Sequence, residues 1–342
     1  MMMRELNQAV DAFLPRIEAE MRAVIEDLEP PEADLFGYLR YHLGWADASL
    51  QTCDGRAGKR LRPIICLLAC QACRGSWEQA LPAGAAIEFL HNFTLIHDDI
   101  EDGDRQRRGR PTVWSLWGEA QGINAGDTLF SVSQLALLRL QDRGAPAGAV
   151  VEAVKVLNET CVMLTHGQHL DIGFEGRDDV GVDAYLTMIE GKTAALVAAS
   201  CELGALVAGG PPRARRALRA FGRHAGLAFQ MQDDVLGIWG DQQVTGKPVG
   251  ADIARRKKTL PVLHGLERSA ELRALLSQER LTPDDVSRAS QMLEDAGSRT
   301  YAESLAAGHY DKAVQALDAM PLQEPASAAL RQLARKLVRR RK

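Results

Sequence analysis

An all-α fold is what the sequence predicts, and three observations predict it. Apolar residues recur at spacings of three and four along nearly the whole chain, which places them on one face of a helix. Ala, Leu, Glu, Arg and Gln dominate, whereas the β-branched alternation that marks strands is scarce. Breakers fall at Glu29-Pro30-Pro31, Gly75-Ser76, Gly103, Gly109-Arg110-Pro111, Gly144-Ala145-Pro146, Gly209 to Pro212, Gly246-Lys247-Pro248 and Pro321, marking off about ten or more helices. None of these gaps has the composition of a linker, and there is no short repeat or low-complexity tract. The 342 residues leave room for two domains. A single domain over 1–342 is expected, with its motifs between about 58 and 261. Its 41 Lys+Arg nearly balance 45 Asp+Glu, so a polyanion partner such as nucleic acid is not expected.

Taken in order, the N-terminal MMMRELNQAVDAF carries early charges and lacks the apolar run of a secretory signal, so a cytoplasmic chain is expected. Gly58-Lys59-Arg60-Leu61-Arg62-Pro63 precedes a helix starting at Pro63. Lys59 and Arg60 are candidate anion ligands, although charges before a helix also occur on plain surfaces. Cys66, Cys70 and Cys73 fall at i, i+4 and i+7 of an apolar run and read as a core stripe, since a zinc site usually takes loop cysteines with a second ligand pair.

In the next helix Ile87, Leu90, Leu95 and Ile96 carry the pattern to Gly103, so Asp98 and Asp102 lie one turn apart on one face, flanked by Asp99 and Glu101. Like charges at this spacing destabilise a bare helix and call for cations or solvent. Arg105, Arg107, Arg108 and Arg110 follow within one short loop. Carboxylates gather hard metal ions and guanidiniums bind phosphate bidentately, so the pairing suits a magnesium-complexed diphosphate. The alternative is a frayed, solvated helix end.

Glu190-Gly191-Lys192-Thr193 is a weaker anion candidate and lacks the upstream glycine and strand of a nucleotide-binding P-loop. The most apolar stretch, Ala194 to Ala208, is broken by Ser200 and Glu202 and falls short of the roughly 18–20 residues that span a bilayer. Gly226 to Gly237 runs a second apolar helix into Asp233-Asp234, with Gln230 about one turn earlier. Beyond it come Thr245-Gly246-Lys247-Pro248, Asp252 and the basic run Arg255, Arg256, Lys257 and Lys258, which again sets phosphate-binding charge beside carboxylates. The basic C-terminal RQLARKLVRRRK is helical in period and suits a solvated helix, an anionic membrane or a diphosphate.

HDDIEDGDRQRRGRPTVW and FQMQDDVLGIWGDQQVTGKPVGADIARRKKTLPV, with GKRLRP and EGKT in the same order, resemble the motifs of the trans-type isoprenyl diphosphate synthases, most of all the bacterial geranylgeranyl diphosphate synthases. The resemblance runs from Gly58 to Pro261. It implies one helical bundle around a central cavity, usually dimeric, with the two aspartate clusters facing each other across its mouth. The implied reaction is a magnesium-dependent head-to-tail condensation of isopentenyl diphosphate with an allylic diphosphate. By position, Asp98, Asp102 and Asp233 resemble the ligands of three Mg2+ ions, with Asp99 in support. Arg107, Lys192, Thr193, Gln230, Lys247 and Lys257 match positions that hold the allylic diphosphate. Lys59, Arg60, His91 and Arg108 match the isopentenyl diphosphate pocket, and Gln168 and Asp171 a pair that orients Lys192.

One departure stands out: the third carboxylate expected a turn after Asp233 is Gly237, and Asp241 is either a substitute or a surface turn residue. Product length in this family follows the bulk beneath the first motif. Small Thr94 and large Phe93, four and five residues before Asp98, with no two-residue insertion in the motif, resemble synthases of the twenty-carbon product; farnesyl or longer products are the alternative, and Phe93 is otherwise plain core. A class I terpene cyclase would leave the second diphosphate pocket without a task. A squalene-type synthase would space its aspartates differently, and a non-catalytic partner subunit would show degraded motifs.

Overall fold

The computed structural model describes residues 3–30, 34–53, 55, 58–241 and 249–338, so Gly246-Lys247-Pro248 and the last four basic residues lie outside the described residues. Among the described residues the structure is all-α apart from one ribbon of two two-residue strands, and the chain divides into two compact units: 1–158 with 200–215 and 322–329, and 159–199 with 216–321 and 330–342. Among the described residues no helix is long and apolar enough to cross a membrane.

The first unit is built round α4 (Leu81–Glu101), in which every residue from Leu81 to Leu90 is buried. A helix apolar on all sides is a central helix. It packs against α1 (Arg4–Leu28), α3 (Leu61–Ala72) and α6 (Glu119–Leu138), while α2 (Asp34–Leu43) and α5 (Val113–Trp117) pack on α6. α1 stops just before Pro30, as the breaker predicts. Cys66 and Cys70 are buried on α3, where burial pushes the Cys70 thiol up to about 12. The unit's part of α9 (Ala195–Val207) approaches α3 so closely that a Cβ on Gly204 would lie 2.1 Å from the Cys66 carbonyl oxygen.

Between α4 and α5 the arginine loop is a hairpin, β1 (Gln106–Arg107) pairing antiparallel with β2 (Arg110–Pro111). Its two central residues, Arg108 (φ 54°) and Gly109 (φ 77°), are both left-handed, the signature of the tight turn whose twist suits a hairpin. Arg110 fixes it from one side: Nη2 donates to the Ala46 carbonyl at 2.7 Å and the guanidinium lies 4.1 Å over the Tyr41 ring. Tyr41 answers by donating its hydroxyl to the Pro111 carbonyl at 2.8 Å.

The second unit contains the later turns of α7 (Ala147–Glu175), α8 (Val182–Ile189), a π-helical turn at Glu190–Ala194, and most of α10 (Pro212–Trp239). Then follow α11 (Ala251–Ala254), α12 (Leu260–Arg268), α13 (Ala270–Leu276), α14 (Pro283–Asp295), α15 (Ser298–Asp318) and the end of α16 (Ala326–Val338). One cluster joins Tyr185, Ile189, Met231, Val235, Leu260 and Ala302; a second joins Ile238, Ile253, Val262, Leu272 and Leu293. Together they seat the end of α10 and the start of α12.

Candidate active site

α4 ends in a full left-handed cap: Gly103 has φ 66°, Asp104 N–H donates to the Asp99 carbonyl at 2.9 Å and Gly103 N–H to the Ile100 carbonyl at 3.2 Å. The Asp98–Asp102 set therefore sits at the carbonyl end of a helix, where the macrodipole adds to the cost of negative charge. Five acids in this stretch, Asp98, Asp99, Glu101, Asp102 and Asp104, need cations. Arg107 reaches back from the hairpin to supply one: Nε donates to Asp99 Oδ1 at 2.6 Å and Nη2 to Asp98 Oδ2 at 3.1 Å. Asp102 is exposed and Asp98 half-buried, whereas Asp99 is buried and points away from their face. Burial raises the Asp99 carboxyl to about 6 against the pull of Arg107, and its Oδ2 has no hydrogen-bond partner among the described residues. Arg105 lies 5.2 Å over the Trp114 ring, so of the four loop arginines Arg107 faces the carboxylates while Arg105 and Arg110 serve the hairpin.

Arg108 leads a second cationic group. Its guanidinium lies against Gly58, where a Cβ would come within 2.8 Å of Nη2. Beside it in charge are Arg62 and His91, whose Nη1 and Nε2 are 3.0 Å apart. Burial and then Arg62 and Arg108 push the His91 imidazole well below its usual value, so it is neutral near pH 7. Lys59 is exposed at the head of the segment. Arg60 departs from expectation. Left-handed at φ 46°, it turns its side chain into the protein, 1% exposed, where Nε donates to Glu18 at 2.7 Å, Nη1 to Glu88 at 2.9 Å and Nη2 to the Leu43 carbonyl at 3.0 Å. Its charge is spent on two carboxylates, and Arg62 is the arginine of this segment that stands with His91. Doubling of arginine two positions apart was the available signal; which one turns inward depends on Glu18 and Glu88, from distant segments.

In the second unit, Lys192 and Thr193 lie in the π-helical turn that links α8 to α9, a wide turn that re-aims side chains within an otherwise continuous helix. Lys192 Nζ is 2.5 Å from Asp171 Oδ2, and Thr193 Oγ1 donates to Gln230 Oε1 at 2.8 Å. Glycine permits this contact: a Cβ on Gly167 would sit 2.2 Å from Lys192 N, and one on Gly191 2.6 Å from the Met163 carbonyl oxygen. Asp233 is half-buried near the end of α10, while Asp234 is buried, pushed by burial up to about 7. Gly237 also has a spatial reason: a Cβ there would fall 1.9 Å from Asp252 Oδ2, so a carboxylate from the next segment already fills the space an aspartate would need. In the basic run Lys258 is 3.5 Å from Asp178 and Arg256 donates to the Gln278 carbonyl, leaving half-buried Lys257 between them. Lys247 lies outside the described residues.

These donors are hard oxygens set in pairs; among the described residues no three His, Cys, Asp or Glu converge to make a closed metal cage. Mg2+ is held by one or two carboxylates completed by water and substrate phosphate, so Asp98 with Asp102, and Asp233, fit such an ion. One to two turns before Asp98, Phe93 packs its ring on Phe130 of α6 (5.5 Å) and on His97 (4.9 Å), and Thr94 Oγ1 donates to the His91 carbonyl at 2.8 Å.

Comparison with known proteins places this arrangement. Residues 44–293 match the polyprenyl synthetase family model. The chain is 44% identical over 315 residues to a geranylgeranyl diphosphate synthase of Mycobacterium tuberculosis, covering 90% of this chain and 88% of that one. It is 39% identical over 332 residues to a farnesyl diphosphate synthase of the same species, covering 95% and 90%. Its fold matches a polyprenyl synthetase from Streptomyces coelicolor with a TM-score of 0.88 and 34% identity over 99% of this chain and 100% of that one. It also matches a geranylgeranyl pyrophosphate synthase from Corynebacterium glutamicum, solved with isoprenyl diphosphate and magnesium, with a TM-score of 0.80 and 27% identity over the whole of both chains. The chain therefore belongs to the polyprenyl synthetase family and is a prenyltransferase that makes isoprenyl diphosphates.

Proposed function

We propose that the chain condenses isopentenyl diphosphate head to tail with an allylic diphosphate and releases geranylgeranyl diphosphate. The observation that supports it is a group of basic side chains in the first unit, Arg62, His91 and Arg108, additional to the Lys192, Thr193, Gln230 and Lys257 set of the second. A cyclase, which ionises one diphosphate, would have no use for it. In this reading Asp98, Asp102 and Asp233 hold Mg2+, three ions per active site. Asp99 and Arg107 brace the first set. Arg107, Lys192, Thr193, Gln230, Lys247 and Lys257 hold the allylic diphosphate, while Lys59, Arg62, His91 and Arg108 hold the other. Arg62 takes the part that the sequence offered to Arg60.

Bound Mg2+ supplies Lewis-acid neutralisation of the departing diphosphate. Lys192, fixed by Asp171, and the Thr193 hydroxyl place positive charge and a donor where negative charge grows as the allylic C–O bond ionises. Arg62 and Arg108 hold the second diphosphate so that its alkene meets the allylic carbon. Neutral His91 donates to it without adding to the repulsion among the arginines. The proton lost after C–C bond formation goes to the departing diphosphate, so no side-chain base is required.

Small Thr94 beneath Asp98, and Phe93 backed by Phe130, support the twenty-carbon product. The relatives include both farnesyl and geranylgeranyl synthases, so product length is the point to test. With labelled isopentenyl diphosphate and dimethylallyl, geranyl or farnesyl diphosphate, the native chain should stop at twenty carbons and Phe93→Ala should run longer. A fifteen-carbon product from the native chain would overturn the length assignment. Asp98→Ala should abolish turnover; a native homomer without turnover would instead indicate a partner-subunit role.

A homodimer fits the surface of the first unit. On α6, Ile123, Leu135 and Leu138 are each more than 40% exposed and lie within an arc of about 120°. Light scattering should give a dimer mass, and Leu135→Glu with Leu138→Glu should halve it.

A further inference from the structure

Asp234 is the one carboxylate of the second pair that the chemistry above leaves without work. Successive helical residues are about 100° apart, so when Asp233 takes the half-exposed side of α10, Asp234 turns inward. It is 4% exposed, and donors from three elements meet it. Oδ1 accepts from Gln230 Nε2 at 3.1 Å. Oδ2 accepts from the Leu260 N–H at 3.0 Å and from the Tyr185 hydroxyl. Gln230, so held, accepts the Thr193 hydroxyl at 2.8 Å. Leu260 is the first residue of α12, three positions after Lys257.

A buried carboxylate is costly unless each oxygen is met, and once met it admits one arrangement of its donors. Tyr185 is itself 1% exposed on α8, and burial followed by Asp234 keeps its phenol protonated, a permanent donor. One side chain thus ties the π-helical turn, the Gln230 turn of α10 and the start of α12 to a single point.

We propose that Asp234 and Tyr185 are positioning residues for the allylic diphosphate: they fix Gln230 and through it Thr193, and they fix the backbone just past Lys257. The inference rests on the assignment of Thr193, Gln230 and Lys257 to that diphosphate made above. Neither residue touches the substrate. Their effect should therefore fall on one substrate and travel through Thr193.

Tyr185→Phe removes one oxygen and keeps the ring. It should raise KM for the allylic diphosphate about tenfold, leave KM for isopentenyl diphosphate within about twofold, and weaken pyrophosphate binding measured by calorimetry with Mg2+ to the same degree. Thr193→Val should also raise the allylic KM about tenfold, and the double variant should reach about 10–20-fold, well short of the ~100-fold of independent effects. Equal rises in both KM values, or a multiplicative double variant, would overturn the proposal. If Thr193→Val leaves the allylic KM unchanged, the site assignment itself fails; if it raises that KM and Tyr185→Phe does not, the positioning role alone fails. Asp234→Asn, which faces two N–H or O–H donors with an amide, should reproduce the pattern more strongly. Should it not fold, Tyr185→Phe carries the test.

Discussion

Arg60 and Arg62 stand two positions apart and do opposite work. Arg60 meets Glu18 and the 2% exposed Glu88 on two of its nitrogens and the Leu43 carbonyl on the third. Removing one partner of such a buried pair strands the other charge away from water, a loss of about 3–5 kcal/mol. Arg60→Met should therefore lower the thermal midpoint sharply. Among the described residues Arg62 hydrogen-bonds the His91 ring alone, at 3.0 Å; burial lowers its guanidinium from the ordinary value, and its Nε is buried with no partner among those residues. Arg62→Gln should cost little stability and raise KM for isopentenyl diphosphate tenfold or more, about 1.4 kcal/mol. Steady-state kinetics with melting curves separate the two. A stable Arg60→Met that had lost affinity for isopentenyl diphosphate would reverse the assignment. The sequence showed that one short segment carried the cations, but Arg60's inward turn needs a left-handed backbone and carboxylates 42 and 28 positions away.

Among elements, the contact of α7 with the π-helical turn shows why glycine is needed inside two helices. At Gly167 an added Cβ would meet the Lys192 backbone nitrogen at 2.2 Å, far inside any normal contact, and backbone cannot swing aside as a flexible side chain does. Overpacking of this kind costs about 1–3 kcal/mol. Because the strain falls on Lys192, Gly167→Ala should lower kcat as well as stability, whereas Gly173→Ala on the same helix, with open space around it, should change neither by much. Comparing the two variants by turnover and chemical unfolding checks this. The helices themselves were legible from a period of three to four and their breakers. Asp98 and Asp102 were legible as one face because that needs only helical spacing. The π-helical turn was not, since EGKT reads as ordinary helix until the close approach of Gly167 and Gly191 is seen. Nor was the link of Tyr185 to Asp234, which spans 49 positions.

For the molecule as a whole, stability against pH is a contest between titrating groups of opposite sign. In the second unit His224 of α10 and His309 of α15 face each other, Nδ1 to Nδ1 at 3.1 Å, so at least one ring must be neutral to accept the hydrogen bond. Burial, then His224, Lys312 and Arg223, depress His309 to about 4, while Glu190 pulls weakly the other way. A histidine depressed in the folded state gives stability that is complete above its unfolded value near 6.5 and is lost as pH falls toward 4. Asp99 and Asp234 act in reverse. Raised by burial to about 6 and about 7, they favour the fold at low pH and lose that contribution as pH rises from 3.8. The native profile between pH 4 and 7 is therefore flattened by cancellation, and the histidine contribution is best read as a difference. His309→Gln stays neutral throughout. Relative to the native chain it should gain about 1–2 kcal/mol between pH 7 and pH 4.5, discounted for the solvent that reaches this partly exposed pair. Urea unfolding of both chains across that range measures the gap directly, and a gap that does not change with pH would mean that His309 titrates alike in the folded and unfolded chain.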